Sequence, residues 1–178
     1  MAETNIRKYA VIERLGKMDV DFIDVTVEPD VDNAGAGAVG DLLFKATEIP
    51  NAVSVLGGTA ILQSCVAIIS PMITGAFDIV ITSASTALTE ASDSSAMETG
   101  DAVSAGDNTL AELDGTCGFF SITNSFDAGV VAIGDKKNIG MVCKAEASSK
   151  SLYVWGIVQN TTDYAEGDIV LRFGFVKD

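Results

Sequence analysis

Apolar residues recur with a period of two along most of this chain, in segments separated by turn residues. Such alternation places the apolar side chains on one face of an extended strand. It is cleanest in GDIVLRFGFVKD, where one face carries Ile169, Leu171, Phe173 and Phe175. Further strands are predicted in SLYVWGIVQN, NIGMVCKAEA, GTCGFFSITNS, AFDIVITSA, TAILQSCVAIIS and GDLLFKATEI. About eight to ten strands on one chain predict an all-β, antiparallel β-sandwich of jelly-roll-like form.

Three predicted strands carry specific expectations about their faces. In MDVDFIDVTVEP, the apolar positions change parity, from Met18, Val20 and Phe22 to Ile23, Val25 and Val27. A one-residue slip reverses every side chain, so we expect a β-bulge or a crossing between sheets near residues 22–24. In GDLLFKATEI, the alternation predicts that Leu42, Phe44 and Ala46 face inward. The strand TAILQSCVAIIS lacks charge, which predicts that both of its faces are covered.

The 178 residues predict one domain with two departures from the strand pattern. Residues 1–17 form a basic N-terminal arm, and residues 18–178 form the sandwich. Residues 85–115 form a long polar insertion, a kind of loop that is uncommon in a compact domain without a role of its own.

The distribution of charge restricts the partners of the chain. Its 25 acidic residues outnumber 11 basic ones, and no Lys or Arg occurs between residues 46 and 135. Such a surface repels phosphate backbones, so direct nucleic-acid binding is not expected. The candidate contact residues for an acidic partner or a neighbouring protomer lie in the basic arm: Arg7, Lys8, Tyr9, Arg14 and Lys17. A solvated terminus is the alternative interpretation of that arm.

Residue types that support catalysis are scarce. The chain has no histidine, which removes the usual general base and the commonest zinc ligand. The glycines of GAGAVG have dinucleotide-loop spacing but lack a βαβ context, so we interpret them as a linker. Asp30, Asp32, Gly35 and Asp41 match some positions of a calcium loop, although Ala34 departs from it. We expect no enzyme activity, no cofactor and no metal, with calcium near residues 30–41 left as an alternative.

Two other chemistries have candidate residues in the chain. The acids Asp78 and Asp168 each begin a predicted strand, as paired carboxylates of a glycosidase could, but turn caps and solvated faces explain them as well. The aromatic residues Tyr153, Trp155 and Tyr164 are either core and subunit contacts or a sugar-binding face.

The cysteines and the hydropathy indicate a soluble protein in a reduced compartment. Cys65, Cys117 and Cys143 are widely spaced and have apolar neighbours, which favours small core residues, with one disulfide plus a free thiol as the alternative. The longest strongly apolar segment, residues 60–69, is far shorter than the ~20 residues of a membrane helix. No membrane partner is expected.

Four blocks of the sequence resemble virion structural proteins of tailed phages, especially those that infect marine bacteria. These blocks are KMDVDFIDVTVEPD, GDLLFKATEIPNAVSVLGGTAILQS, KKNIGMVCKAEASSKSLYVWGIVQN and IVLRFGFVKD, in that order. The resemblance implies a capsid decoration or cement protein that forms a homo-oligomer, most simply a trimer, and binds the major capsid protein. It implies synthesis in the host cytoplasm and a location on the capsid exterior. A carbohydrate-binding or adhesive module, as in a head fibre or tail component, is the alternative function.

Overall fold

The computed structural model describes residues 19–27, 39–40, 42–70, 75–86, 115–124, 126–127, 129–159 and 169–177. Within these ranges the chain forms strands only. In chain order they are β1 (Asp19–Val27), β2 (Leu42–Ile49), β3 (Thr59–Ile69), β4 (Ala76–Thr82), β5 (Thr116–Thr123), β6 (Phe126–Asp127), β7 (Ala132–Lys144), β8 (Leu152–Val158) and β9 (Ile169–Lys177).

The strands form two antiparallel sheets, with orders β1-β9-β3-β7-β6 and β2-β8-β4-β5. Apart from the two-residue strand β6, each sheet contains four strands. Chain neighbours such as β1 and β2, or β7 and β8, lie in opposite sheets, so the chain repeatedly crosses the sandwich. This is the jelly-roll arrangement of eight strands. The prediction of an all-β, jelly-roll-like sandwich is confirmed.

The core lies between the two sheets, and the alternation in β9 identified its residues correctly. Ile169, Leu171, Phe173 and Phe175 of β9 are fully buried in this core. Strand β8, predicted from SLYVWGIVQN, is covered on both faces. In β7, Ile139 and Met141 pack against the core beside buried Cys143.

The prediction of a bulge in β1 is wrong. Strand β1 pairs with β9 without a register shift over all nine residues. Ile23, Val25 and Val27 face the core, whereas Val20 and Phe22 lie on the opposite face and are 52% and 66% exposed. The change of parity therefore marks apolar side chains that point outward from a regular strand.

The bulge occurs instead in β2, which shifts register against β8 on both sides of Phe44. As a result, the predicted inward orientation is correct for Phe44 and wrong for Leu42 and Ala46. Leu43 and Phe44 enter the core, while Leu42 and Ala46 join a second cluster on the outer face of the four-stranded sheet.

Strand β3 is buried on its core face and half-buried on its outer face, so the expectation that both faces are covered is met in full on the core face only. Ala60, Leu62, Cys65, Ala67 and Ile69 are buried in the core, whereas Ile61, Val66 and Ile68 on the outer face are half-buried. A register shift between Leu62 and Ser64, relative to both neighbouring strands, separates the two halves of β3.

Several predictions fall outside the described residues. These are the basic arm (1–17), nearly all of the calcium-loop candidate (30–41) and nearly all of the polar insertion (85–115). Before β3, Gly57 and Gly58 lie in a turn that closes with a hydrogen bond of 3.0 Å from the Gly58 amide to the Val55 carbonyl.

Candidate interaction surface

The outer face of the five-stranded sheet carries two rows of apolar side chains. The first row crosses four strands in register and consists of Val20, Val176, Ile61 and Val142. Its two ends are the most open, since Val20 is 52% and Val142 65% exposed. Residues directly opposite each other in neighbouring strands bring their side chains together on one face. The row is therefore one continuous apolar ridge.

The second row lies toward the other end of the same strands. It consists of Val170, Ile68, Ile133 and Phe126, again paired across neighbouring strands. Phe126 ends the row on β6 and is 63% exposed. We call the two rows, together with Phe22, the outer apolar face.

Phe22 projects from β1 between these rows and lies over a glycine of the neighbouring strand. Its partner across the sheet is Gly174, and a Cβ built there would lie 3.3 Å from Phe22 Cε1. Because Gly174 has no side chain, the ring can lie across the sheet, where it is still 66% exposed. This exposed ring is the largest apolar group near the centre of the β1 edge.

Charged side chains between the rows are paired with one another. Arg172 donates two hydrogen bonds to Asp24, from Nε to Oδ1 at 2.7 Å and from Nη2 to Oδ2 at 2.8 Å. The guanidinium lowers the pKa of Asp24. On β7, Lys137 Nζ lies 2.8 Å from Asp135 Oδ2. Since Lys144 also occupies an outward position, this face carries three basic and two acidic groups in a chain with a net charge of −14.

The outer face of the four-stranded sheet differs, because its central aromatic residue is covered. Trp155 is 1% exposed and packs with Leu42 and Val80. Its indole Nε1 donates a 3.0 Å hydrogen bond to Thr82 Oγ1. A sugar ring needs an open aromatic face, so the sugar-binding interpretation of Trp155 is wrong. Tyr153 is half-buried, and Tyr164 lies outside the described residues.

The acids singled out as catalytic candidates have local structural partners. Asp78 accepts hydrogen bonds from Ser121 Oγ, at 2.5 Å, and from Gln159 Nε2. These bonds join three strands or strand ends of the four-stranded sheet. Asp168 lies outside the described residues. Among the residues that the structure describes, no three Cys, Asp or Glu side chains converge as a metal site would require.

The predicted contact residues Arg7, Lys8, Tyr9, Arg14 and Lys17 all lie outside the described part of the chain. The outer apolar face was missed by the sequence reasoning. Its signal was present, because the change of parity in β1 identified Val20 and Phe22 as facing away from Ile23, and β3 has apolar residues at consecutive positions.

In the described ranges, no helix of sufficient length and hydropathy to cross a bilayer is present.

No protein-family model matches this chain. No curated protein matches it either. Among solved structures, a chain from Desmodium yellow mottle tymovirus aligns with 88% of this chain and 85% of its own length. The two chains are 13% identical, with a TM-score of 0.27. That score does not establish a common fold, so neither fold nor role is inferred from the match.

Proposed function

We propose that this protein is a non-enzymatic virion structural protein, which binds the capsid of a tailed phage as a decoration or cement protein. The outer apolar face is the observation that carries the proposal. Exposed Phe and Val side chains in two continuous rows are the usual mark of a surface that another protein covers. A jelly roll is compatible with this role and occurs in viral capsids, but also in lectins and enzymes. The blocks that resemble phage virion proteins favour the first use.

The size of the outer apolar face suits one protein partner. Four strands of about nine residues span roughly 15–20 Å by about 30 Å, or on the order of 500 Å² in projection. A standard protein interface buries about 800 Å² per partner. The face and its margins are therefore of the size that a capsid subunit covers in a stable contact.

The charges support the same orientation. The chain has a net charge of −14, so the surfaces away from the outer apolar face repel acidic neighbours. On the same side of the sheet as the outer apolar face, Arg172, Lys137 and Lys144 stand against Asp24 and Asp135, which leaves this side close to neutral. In our proposal this face lies on the shell, the acidic surfaces face solvent, and three copies join around a threefold position.

Two matched substitutions test the proposal. Phe22 and Phe119 are 66% and 69% exposed and lie on the outer faces of opposite sheets. Purified protein is mixed with empty shells of the phage that encodes it, shells assembled without this protein, and bound protein is measured by co-sedimentation. We expect Phe22→Asp to weaken binding at least tenfold, because a carboxylate would be buried at the contact, and Phe119→Asp to bind like the wild type.

Three results would contradict the proposal: no binding of the wild type to the shells, equal binding by both variants, or loss of binding only in Phe119→Asp. A parallel deletion of residues 2–17 tests the basic arm separately. If the arm contributes, the deletion lowers binding further in the Phe22→Asp background.

A further inference from the structure

One side of the sandwich, where β5 faces β7, brings two cysteines together across the sheets. Cys117 is the second residue of β5 in the four-stranded sheet, and Cys143 lies near the end of β7 in the five-stranded sheet. The strands approach closely here, since a Cβ on Gly118 would lie 2.9 Å from Met141 Cε. Cys117 Sγ lies 3.9 Å from the carbonyl oxygen of Lys144, the residue that follows Cys143. All three cysteines are free thiols in the structure.

The two thiols have different access to solvent. Cys117 is partly exposed and lines a cavity of about 610 Å³, together with Lys144, Glu146 and Leu56. Cys143 is fully buried behind it. A small molecule in the cavity can therefore reach Cys117 but not Cys143.

The surroundings of the two thiols assign them different reactivities. The neighbouring Cys143 side chain lowers the pKa of Cys117 to about 7. The Cys117 side chain and burial raise the pKa of Cys143, whose thiol donates a hydrogen bond to the Met141 carbonyl oxygen. Since the thiolate is the nucleophile, Cys117 reacts first near neutral pH.

We propose that Cys117 and Cys143 form a thiol–disulfide exchange site, in which a low-molecular-weight disulfide in the cavity is reduced and the two sheets become covalently joined. The Cys117 thiolate attacks one sulfur of the small disulfide RSSR, forms a mixed disulfide and releases RS⁻. The released RS⁻ takes from water the proton that Cys117 had lost. The Cys143 sulfur then attacks Cys117 and expels the second RS⁻, while the Cys143 proton passes to water and this RS⁻ takes a proton from water in turn. In total, two protein thiols are oxidised to one disulfide, and RSSR is reduced to two RSH.

The bond would link strands that no hydrogen-bond ladder joins. It closes the segment from residue 117 to 143, and a loop of this length is expected to raise the melting temperature by about 10 °C for a chain of this size. In combination with the proposed virion role, the bond would be open in a reducing cytoplasm and closed after release. The site itself depends only on the isolated protein, so its test is independent of capsid binding.

The test uses the full chain, purified with reductant and then incubated with oxidised glutathione. Mass spectrometry of intact protein and peptides identifies the products, and a thermal melt measures their stability. The wild type should lose two hydrogens, contain a Cys117–Cys143 peptide and melt about 10 °C higher than the reduced form. Cys143→Ala should accumulate glutathione on Cys117, and Cys117→Ser should form neither product.

Cys65→Ala is the matched control, because Cys65 is equally buried but lies in β3 within the core. It should retain the disulfide and the thermal shift. Brief iodoacetamide labelling of the native wild type should modify Cys117 before the other two cysteines, which checks the assignment without any variant. The proposal is overturned if Cys117 is not the first residue labelled, if glutathione stays on wild-type Cys117, or if the disulfide joins two chains.

Discussion

The contact between Phe44 and Gly156 provides the sharpest test of how the core is packed. These residues are partners across β2 and β8, and the ring of Phe44 occupies the place where a side chain at residue 156 would lie. A Cβ on Gly156 would be 2.6 Å from both Cδ1 and Cζ of the ring. Carbon atoms in contact normally lie about 3.5–4.0 Å apart. The ring would have to move by about 1 Å, within a core where it is only 1% exposed.

Gly156→Ala should therefore destabilise the fold through overpacking. Such substitutions cost about 1–3 kcal/mol, and we expect about 3 kcal/mol because the ring cannot turn toward solvent. This corresponds to a fall of about 9 °C in melting temperature for a chain of this length. Urea unfolding with a common slope would give the free energy of unfolding for each variant.

A double-mutant cycle separates this clash from other effects of alanine. Phe44→Leu alone should cost about 1–2 kcal/mol, because a smaller side chain leaves a cavity. The double variant should be about 2 kcal/mol more stable than the sum of the two single-variant losses predicts, since the new methyl group fills the space that the smaller side chain leaves. Gly140→Ala is the control, with no atom within 4 Å of its Cβ and a φ of +66°. It should lose only about 1 kcal/mol, from backbone strain. The packing argument is wrong if Gly156→Ala unfolds at the wild-type urea concentration, or if its effect and that of Phe44→Leu are additive.

Three further predictions concern other parts of the sandwich. Thr82→Val should lower the free energy of unfolding by about 1–3 kcal/mol, because it leaves the buried indole N–H of Trp155 without its acceptor. Urea unfolding measures this change, and an unchanged midpoint would contradict the role of the hydrogen bond. Gly134→Ala should lower the free energy of unfolding by about 2 kcal/mol or more, since its Cβ would lie 2.8 Å from the Thr123 carbonyl oxygen, a backbone atom that cannot turn away. A melting temperature within 1 °C of the wild type, which corresponds to well under ~1 kcal/mol, would refute this prediction. The pKa of Asp24 is lowered in the folded protein, so its pair with Arg172 stabilises the fold above the ordinary carboxyl pKa of ~3.9, and this stabilisation is lost as the pH falls through the folded pKa. The difference in free energy of unfolding between wild type and Asp24→Asn should therefore shrink below about pH 4. A difference that stays constant with pH would argue against the pair.

The sequence predicted the sandwich well where alternation was regular, and failed where apolar residues do not face the core. Strand β9 has a neighbouring strand on each side and one buried face, and such a strand shows a clean period of two. For this reason the alternation placed its core residues correctly: Ile169, Leu171, Phe173 and Phe175. The expectation for β1 failed because it assumed that every apolar side chain points inward, whereas Val20 and Phe22 point outward.

Features that depend on two distant segments could not be predicted from local pattern. The register shifts around Phe44 arise from pairing with β8, so alternation in β2 alone assigned Leu42 to the wrong face. The same holds for Cys117 and Cys143, which become neighbours only when the two sheets pack. From its sequence context, Trp155 could be either a binding residue or a core residue. Only the packing of other side chains over its ring in the folded protein distinguishes the two.

The position of β9 between β1 and β3 imposes an order on how the chain can fold. Residues 19–27 have no other partner strand in the described sheet, so they cannot enter it until residues 169–177 have left the ribosome. Pairing over such a sequence distance is slow, since most of the chain must be arranged first. During translation β1 and β3 would therefore keep open edges, and the last described strand closes the sheet by inserting between them.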